Sequence, residues 1–454
     1  MSTFTIPEQT LPSKKYDVVI VGGGTTGVFA AIAAARTGAK TALVEAKGYL
    51  GGTAVEAVTA LHSFFNNWKY FNKEKVQLVR GIPSELVDRV YARGGCTGHA
   101  EMVSNYAYES VCTAVDSEIY KLVAHEMCVE SGVDVMVNTR MASTVCENGT
   151  VKTIIVATHS GDLAIRAKAY VDCTGYGDLC AEAGAEFTEP NDHMAAAPVG
   201  IAGVDIDKFV EFFKSRGALS DLAIGHRDDG EDMIVRANGR ESCLPKEFVD
   251  EMKATCMNLI VTTVHKDYFM FLKFNIKLPT TVTKTDEASA AELTLRQYQA
   301  RGVALLRKYI PGCENAYIAR TPASICVRRA RCITCDSDMT NEEITSGAHH
   351  EDDVFEYGFH DESPRFTIAE GGCYGFPYRA MLPKGLNNVY ATGMMITSNF
   401  HAHMSTRNTV SCMAQGQAAG TAAAMCAAKG IDIRALDMAE LHQALLDGGV
   451  YFTK

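Results

Sequence analysis

Tyr16-Asp-Val-Val-Ile-Val-Gly-Gly-Gly-Thr-Thr-Gly27, continued by Leu43-Val-Glu-Ala-Lys-Gly-Tyr-Leu-Gly-Gly-Thr53, reads as strand, glycine turn, helix, strand and acidic residue. Val18 to Val21 is apolar, β-branched and too short for a helix, as a buried parallel strand is. Gly22, Gly24 and Gly27 then stand in G-x-G-x-x-G spacing. The first allows a tight turn, the second lets backbone N–H groups approach a pyrophosphate, and the third lets the helix pack closely. A helix over Thr26–Thr37 would present its N-terminal N–H groups and dipole to that anion, and Gly38 would stop it. Lys40 to Val44 reads as the second strand. Glu45 ends it about twenty residues after the glycines, where a carboxylate accepts hydrogen bonds from ribose hydroxyls and repels a 2′-phosphate. One such motif alone is weak evidence, but this one lies in the strand–turn–helix–strand context its mechanism needs.

The chain has 454 residues, 47% hydrophobic and 21% charged, with a net charge of -11. That length suggests two domains and a large core. With no basic run, the acidic balance argues against nucleic acid or an anionic membrane as partner. An anionic substrate would need local arginines. The first fourteen residues are polar with Pro7 and Pro12, no secretion signal is visible, and Val18–Ala35 is a glycine-broken nucleotide motif and not a membrane span. Fifteen cysteines in apolar segments then read as free thiols in a reducing cytoplasm.

Outward from the glycine turn, Leu50-Gly-Gly-Thr53 has small residues suited to close passage by a cofactor. The apolar stretch that follows carries His62, Asn66 and Asn67, whose polar groups face either a reactive ring or the core. Gly81 to Val90 reads as a helix with Pro83 in its first turn, 94–110 as a loop or hairpin, and Val115–Ser131 as an amphipathic helix. Val133–Asn138 reads as a strand, and Val151–Thr158 and Leu163–Ala169 as an antiparallel pair. Ala169 to Asp178 is a short strand ending in Asp172-Cys-Thr-Gly-Tyr-Gly-Asp178, a second glycine-bearing strand end at a ligand edge. Cys173 beside it reads as a small buried residue.

Residues 190–310 alternate charged pieces with short apolar runs such as Met257–Val264 and Tyr268–Phe274, and Ala288–Tyr309 reads as a helix. Ser324 to Cys335 gathers Arg328, Arg329 and Arg331 ahead of Cys332-x-x-Cys335. With no second C-x-x-C, buried structural thiols are the preferred reading over a redox pair or half a metal site. His349 to Asp353 is a polar run with a weak metal reading. Asn388 to Gly393 reads as a strand, a loop carries Asn399, His401 and His403, and Arg407 precedes a small-residue helix, Thr409–Lys429, whose N-terminus favours an electron-rich group.

Together these motifs resemble the FAD-dependent oxidoreductases of the glutathione-reductase-like superfamily, distantly similar to fumarate reductase flavoproteins and thiazole synthases. The carriers are Gly22/Gly24/Gly27/Glu45, Gly51-Gly52-Thr53, Asp172 to Asp178, and the closing Gly393, His401/His403, Arg407 and Gly416–Gly420 set. The resemblance implies an α/β fold: a Rossmann-like FAD-binding domain over 1–200 and 385–454, with an inserted mixed α/β substrate domain over 201–384. It implies non-covalent FAD, with the adenosine ribose on Glu45 and the pyrophosphate on the Gly22–Thr26 loop (Gly22, Gly24, Thr25, Thr26, closed by Gly27). Gly175 and Asp178 would pass near the pyrophosphate, Gly52 and Thr53 would line the isoalloxazine end, and Ala46, Gly393, Asn408 and Thr409 complete the expected contacts. The start of the Arg407–Gly420 helix would face the flavin pyrimidine.

Two departures bear on the substrate. Arg329 stands where the family often has a Glu, and Phe400-His-Ala-His403 lacks the family's acid. The expected activity is hydride transfer between flavin N5 and a small organic, carboxylate- or carbonyl-bearing substrate. His401 and His403 are the acid/base candidates, Arg331 and Arg407 the carboxylate or oxyanion clamps, and Tyr378 an assistant. The alternatives are an NAD-holding synthase and an electron-transfer flavoprotein subunit. The expected partners are a small molecule, an electron-donor or acceptor protein and a second copy of the chain.

Overall fold

The computed structural model describes residues 10–227, 230–396 and 399–453. At its centre lies a five-stranded parallel sheet in the order Val389–Ala391, Ala169–Asp172, Val18–Val21, Thr41–Val44, Asp134–Met136. The three middle strands are buried at every position, as parallel strands covered on both faces must be. Alternation divides their side chains. Val18 and Ile20 join the apolar cluster under the helices, while Val19, Val21 and Tyr170 join another with Ile154, Val156 and Ile165. That second layer is a four-stranded sheet, Ser13–Lys15, Gly161–Arg166, Thr150–Thr158 and Arg140–Glu147. Its first and last strands gave no clear sequence signal, being short and polar or half-exposed throughout.

Helices Gly27–Arg36 and Thr409–Lys429 cover the other face. They approach so closely that a Cβ on Gly416 would lie 2.2 Å from the Thr26 carbonyl oxygen, and one on Gly420 2.1 Å from that of Ala30. The glycines of the Gly-Gln-Ala-Ala-Gly run are therefore a helix-packing device. Gln415 links the same helix to the sheet edge, accepting from Gly393 N–H at 2.7 Å and donating to Thr406 O at 2.8 Å.

The inserted part is a six-stranded antiparallel sheet in the order Leu219–His226, Asp232–Gly239, Ile260–Thr262, Tyr268–Leu272, Val199–Ala202, Tyr317–Arg320. Helices Ile206–Lys214, Lys246–Ala254 and Thr285–Tyr309 supply Phe209, Phe213, Phe248 and Leu295 to its core. This core takes residues 195–330, whereas Met339, Val354, Phe376 and Leu382 pack into the first core. The packing thus groups the 339–382 stretch with the nucleotide-binding half and not with the insert, to which the sequence division at 384 had assigned it. Among the described residues no helix is long and apolar enough to cross a membrane.

Candidate active site

A cavity of about 620 Å³ lies where the two halves meet. Gly22, Glu45, Cys173 and Thr392 line it, and each directly follows a strand of the parallel sheet. This is the carboxyl edge at which open α/β sheets bind ligands. The opposite wall comes from the insert and its flanks, through Arg236, Phe271, Lys273 and Arg328.

The nucleotide end is built from backbone. Gly22 sits at φ +99°, and a Cβ there would lie 2.5 Å from the Cys173 carbonyl oxygen, so only glycine makes this turn. A Cβ on Gly24 would meet nothing nearer than Gly52 Cα at 3.8 Å. The empty space beside Gly24 is the kind of cradle a phosphate needs at a helix N-terminus. Glu45 holds the loop, accepting from Gly23 N–H and Lys47 N–H at 2.7 Å each. Burial pushes its carboxyl up, and these two N–H groups pull it back. Thr25 Oγ1 donates to Gly51 O at 3.2 Å and pins the Gly51–Thr53 segment to the glycine turn. Ala46, Gly52, Thr53, Thr26, Gly175 and Asp178 line the same cavity, as do Arg407, Asn408 and Thr409 at the start of the long helix. Of the expected cofactor positions, Gly27 and Gly393 are not part of the wall. Gly27 closes the turn, since its Cβ would fall 1.8 Å from Gly22 O, and Gly393 is tied to Gln415.

Asp172, passed over in the sequence as a single residue, organises the second strand end. Fully buried, it accepts from Thr174 N–H at 3.0 Å, Thr174 Oγ1 at 2.8 Å and Cys180 N–H at 2.9 Å. Cys173 is buried and its thiol is pushed up by desolvation, which makes it a poor nucleophile.

Four of the five residues expected to do chemistry lie off the cavity wall. His401 and His403 are on a short helix, Phe400–Thr406, and not in a loop. Two residues apart on a helix, they point about 200° away from each other. His401 pairs with Glu362 at 2.5 Å. His403 is fully buried between His193 Nε2 at 3.2 Å and Met394 O at 3.0 Å, with its pKa driven well below the usual range by burial and by Arg329. Arg331 is committed to Asp178 at 2.8 Å and Tyr176 O at 3.0 Å. Tyr378 is buried behind the sheet, its hydroxyl 2.7 Å from both Tyr390 Oη and Ile433 O. Arg407 alone lines the cavity. Its Nη2 pairs with Asp361, and its Nε is buried with no hydrogen-bond partner among the described residues.

The groups that do face the cavity were mostly missed. His62 lines it, with Nδ1 2.7 Å from Glu109 Oε2 and its ring stacked on Phe359 at 5.3 Å. Arg236, buried, lies 3.5 Å from Glu109 and 3.4 Å from Asp221. Tyr108 donates to Asp361 Oδ1 at 2.5 Å. Burial works against the Asp361 charge, but Arg407 and Tyr108 hold its carboxyl below the usual range. Lys273 carried one usable sequence signal, a lysine inside the otherwise apolar and aromatic run Tyr268–Phe274. Cys332 and Cys335 form no disulfide, and Cys332 Sγ accepts from Arg329 Nε at 2.7 Å.

The sequence profile of the FAD dependent oxidoreductase family matches residues 17–445. Among curated proteins, the chain is 26% identical over 203 residues to the digeranylgeranylglycerophospholipid reductase of Methanosarcina acetivorans, covering 44% of this chain and 48% of that one. It is 62% identical over 40 residues to the dihydrolipoyl dehydrogenase of Trypanosoma brucei brucei, covering 9% and 8%. These matches span less than half the length of those two relatives. Among solved structures, a geranylgeranyl bacteriochlorophyll reductase-like protein of Thermoplasma acidophilum aligns with TM-score 0.46 at 14% identity, over 96% of this chain and 83% of that one. A myxobacterial chondrochloren halogenase aligns with TM-score 0.49 at 9% identity, over 95% and 78%. With a glycine cradle, an acid-closed turn and a helix N-terminus on one cavity, and residues 17–445 of the chain matched by the family profile, the chain belongs to the FAD-dependent oxidoreductases and is an enzyme of that kind with FAD as its cofactor.

Proposed function

We propose that the protein transfers a hydride between FAD and a small organic substrate held against the inserted sheet, with His62 as the proton partner. The observation that carries this reading is the single cavity that joins the glycine cradle and Glu45 to His62, Lys273, Arg328 and Arg407. The residues present fit FAD. Gly22 to Thr26 would hold the pyrophosphate, Glu45 the adenosine ribose, and Gly52, Thr53, Asn408 and Thr409 the isoalloxazine end. When bound, FAD would supply the two-electron hydride chemistry.

The chain's own part is proton handling and orientation. Glu109 accepts from His62 Nδ1, which sets the tautomer and leaves Nε2 as the basic atom, 3.4 Å from Thr59 Oγ1. Phe359 and Tyr108 fix the ring on two sides. A redox step that adds or removes hydride at carbon needs a proton moved at the neighbouring atom, and His62 is placed on the cavity wall to accept or donate it. His401 and His403, committed elsewhere, are set aside for this role.

The test is spectroscopic. Purified protein should show flavin bands that leave with the supernatant after acid precipitation, and anaerobic substrate should bleach or restore them. His62→Gln should keep the bands and slow that step. Protein that takes up no flavin, or a His62→Gln variant with unchanged kinetics, would refute the respective halves of the proposal.

A further inference from the structure

We propose that the substrate is a small organic dianion, seated on Lys273, Arg328 and Arg407. The inference deepens the flavoenzyme reading above and rests on it for the identity of the cavity, but it is argued from charge.

The charged groups on this wall divide into a balanced corner and an unbalanced one. Arg236 is balanced by Glu109 and Asp221, and Glu109 also takes His62. On the other side, among the described residues, Arg328 donates only to neutral acceptors: Met194 O at 2.8 Å, and Asn275 Oδ1 at 3.5 Å from each terminal nitrogen. Lys273 has no hydrogen bond or ion pair among the described residues, although it lines the cavity. Arg407 has one carboxylate, Asp361, which it shares with the Tyr108 hydroxyl, and its buried Nε donates to nothing. Among the described residues, three cations therefore share one carboxylate, and two positive charges are left without a counter-charge.

Cations taken out of water without partners are costly. The cost falls on Lys273 and Arg328. Desolvation and then Arg328 push the Lys273 ammonium down to about 8, with Arg407 and Arg236 acting in the same direction and Asp361 against them. Desolvation and Arg407 push Arg328 down to about 10. A ligand with two negative charges would cancel the surplus. The two guanidinium forks suit planar carboxylates or phosphate oxygens, and the ammonium suits a single oxygen. A neutral substrate would leave two of these three positive charges unmatched.

Flavin-loaded protein is titrated with malonate, succinate, glycerol phosphate and acetate, followed by the visible flavin spectrum and by calorimetry. At least one dianion should bind and raise the melting temperature of the unmodified protein, with acetate at least about tenfold weaker. Preference for the dicarboxylates or for glycerol phosphate identifies the source of the charge. Lys273→Met and Arg328→Met should each keep their flavin and weaken dianion binding by about 30-fold or more. Equal, weak binding of acetate and all dianions would overturn the proposal, as would variants that titrate like the parent. Loss of flavin from Lys273→Met would also overturn it, because the cations would then serve the cofactor's own phosphates. Absence of flavin from the unmodified protein would sink the flavoenzyme reading instead, and the same titration on that protein would still decide the anion site.

Discussion

The two ends of the cavity are built in opposite ways. The nucleotide end uses one stretch of chain, Val18 to Thr53, and acts through backbone N–H groups, missing side chains and a carboxylate that braces the turn. The substrate end uses side chains from segments far apart: His62, Tyr108, Lys273, Arg328, Asp361 and Arg407. A site made of backbone has to be written as glycines at set intervals. A site made of side chains needs only that each residue arrive from somewhere, and no spacing records it.

The largest expected effect separates chemistry from binding at the substrate end. His62→Gln should lower the rate of substrate-dependent flavin reduction by about 10²- to 10⁴-fold with flavin content unchanged, as read by anaerobic stopped-flow. At the nucleotide end, Gly24→Asp has room for its Cβ but sets a carboxylate beside the phosphate cradle. The apoprotein should fold normally by circular dichroism while FAD affinity falls by about 100-fold, or about 2.7 kcal/mol, through like-charge repulsion. A Gly24→Asp protein that keeps FAD would mean the cradle is not where the pyrophosphate lies.

Asp361→Asn should destabilise the protein by about 3 kcal/mol, because it strips Arg407 of its one counter-charge in a buried setting. Thermal melting with and without a saturating dianion checks it, and the dianion should restore part of the loss. Tyr378→Phe should cost about 1 kcal/mol, from the lost donor to Ile433 O and the Tyr390 contact, and leave flavin content and rate untouched. A rate effect there would return Tyr378 to the active site.

The smallest effect concerns pH. Lys273 titrates near 8 in the folded chain, below its ordinary 10.5. Dianion affinity should fall as pH rises through about 8, since the binding form is the ammonium. The stability term has the opposite sign. Between the folded and unfolded pKa values the unfolded chain holds more protons, so the stability of ligand-free protein should rise with pH from about 8 upward. Lys273→Met should abolish both trends and raise the ligand-free melting temperature by about 2 °C.

Much of the fold was legible. The central strands, the Thr409–Lys429 helix and the Thr150–Thr158/Gly161–Arg166 hairpin carry strong local patterns of burial or turn chemistry. The strands Ser13–Lys15 and Arg140–Glu147 were not, because their pairing partners define them and their own side chains are exposed or half-exposed. His401 and His403 lie off the cavity wall for a related reason. Their order in sequence is compatible with a loop over the flavin, and only packing shows a helix that turns one toward Glu362 and the other into the His193 contact.

By itself, then, the sequence determined the family, the cofactor and the glycine turn at one end of the cavity. Those follow from glycine positions and strand–helix alternation, properties of the local chain. The tertiary structure alone decided which cations and which histidine meet in the cavity. Arg328 and Arg331 lie three residues apart in one arginine cluster, yet Arg331 is consumed by Asp178 while Arg328 meets only neutral acceptors on the cavity wall. Whether a charge is paired or free to bind depends on neighbours brought from distant segments, and that is settled only when the two halves of the molecule close on each other.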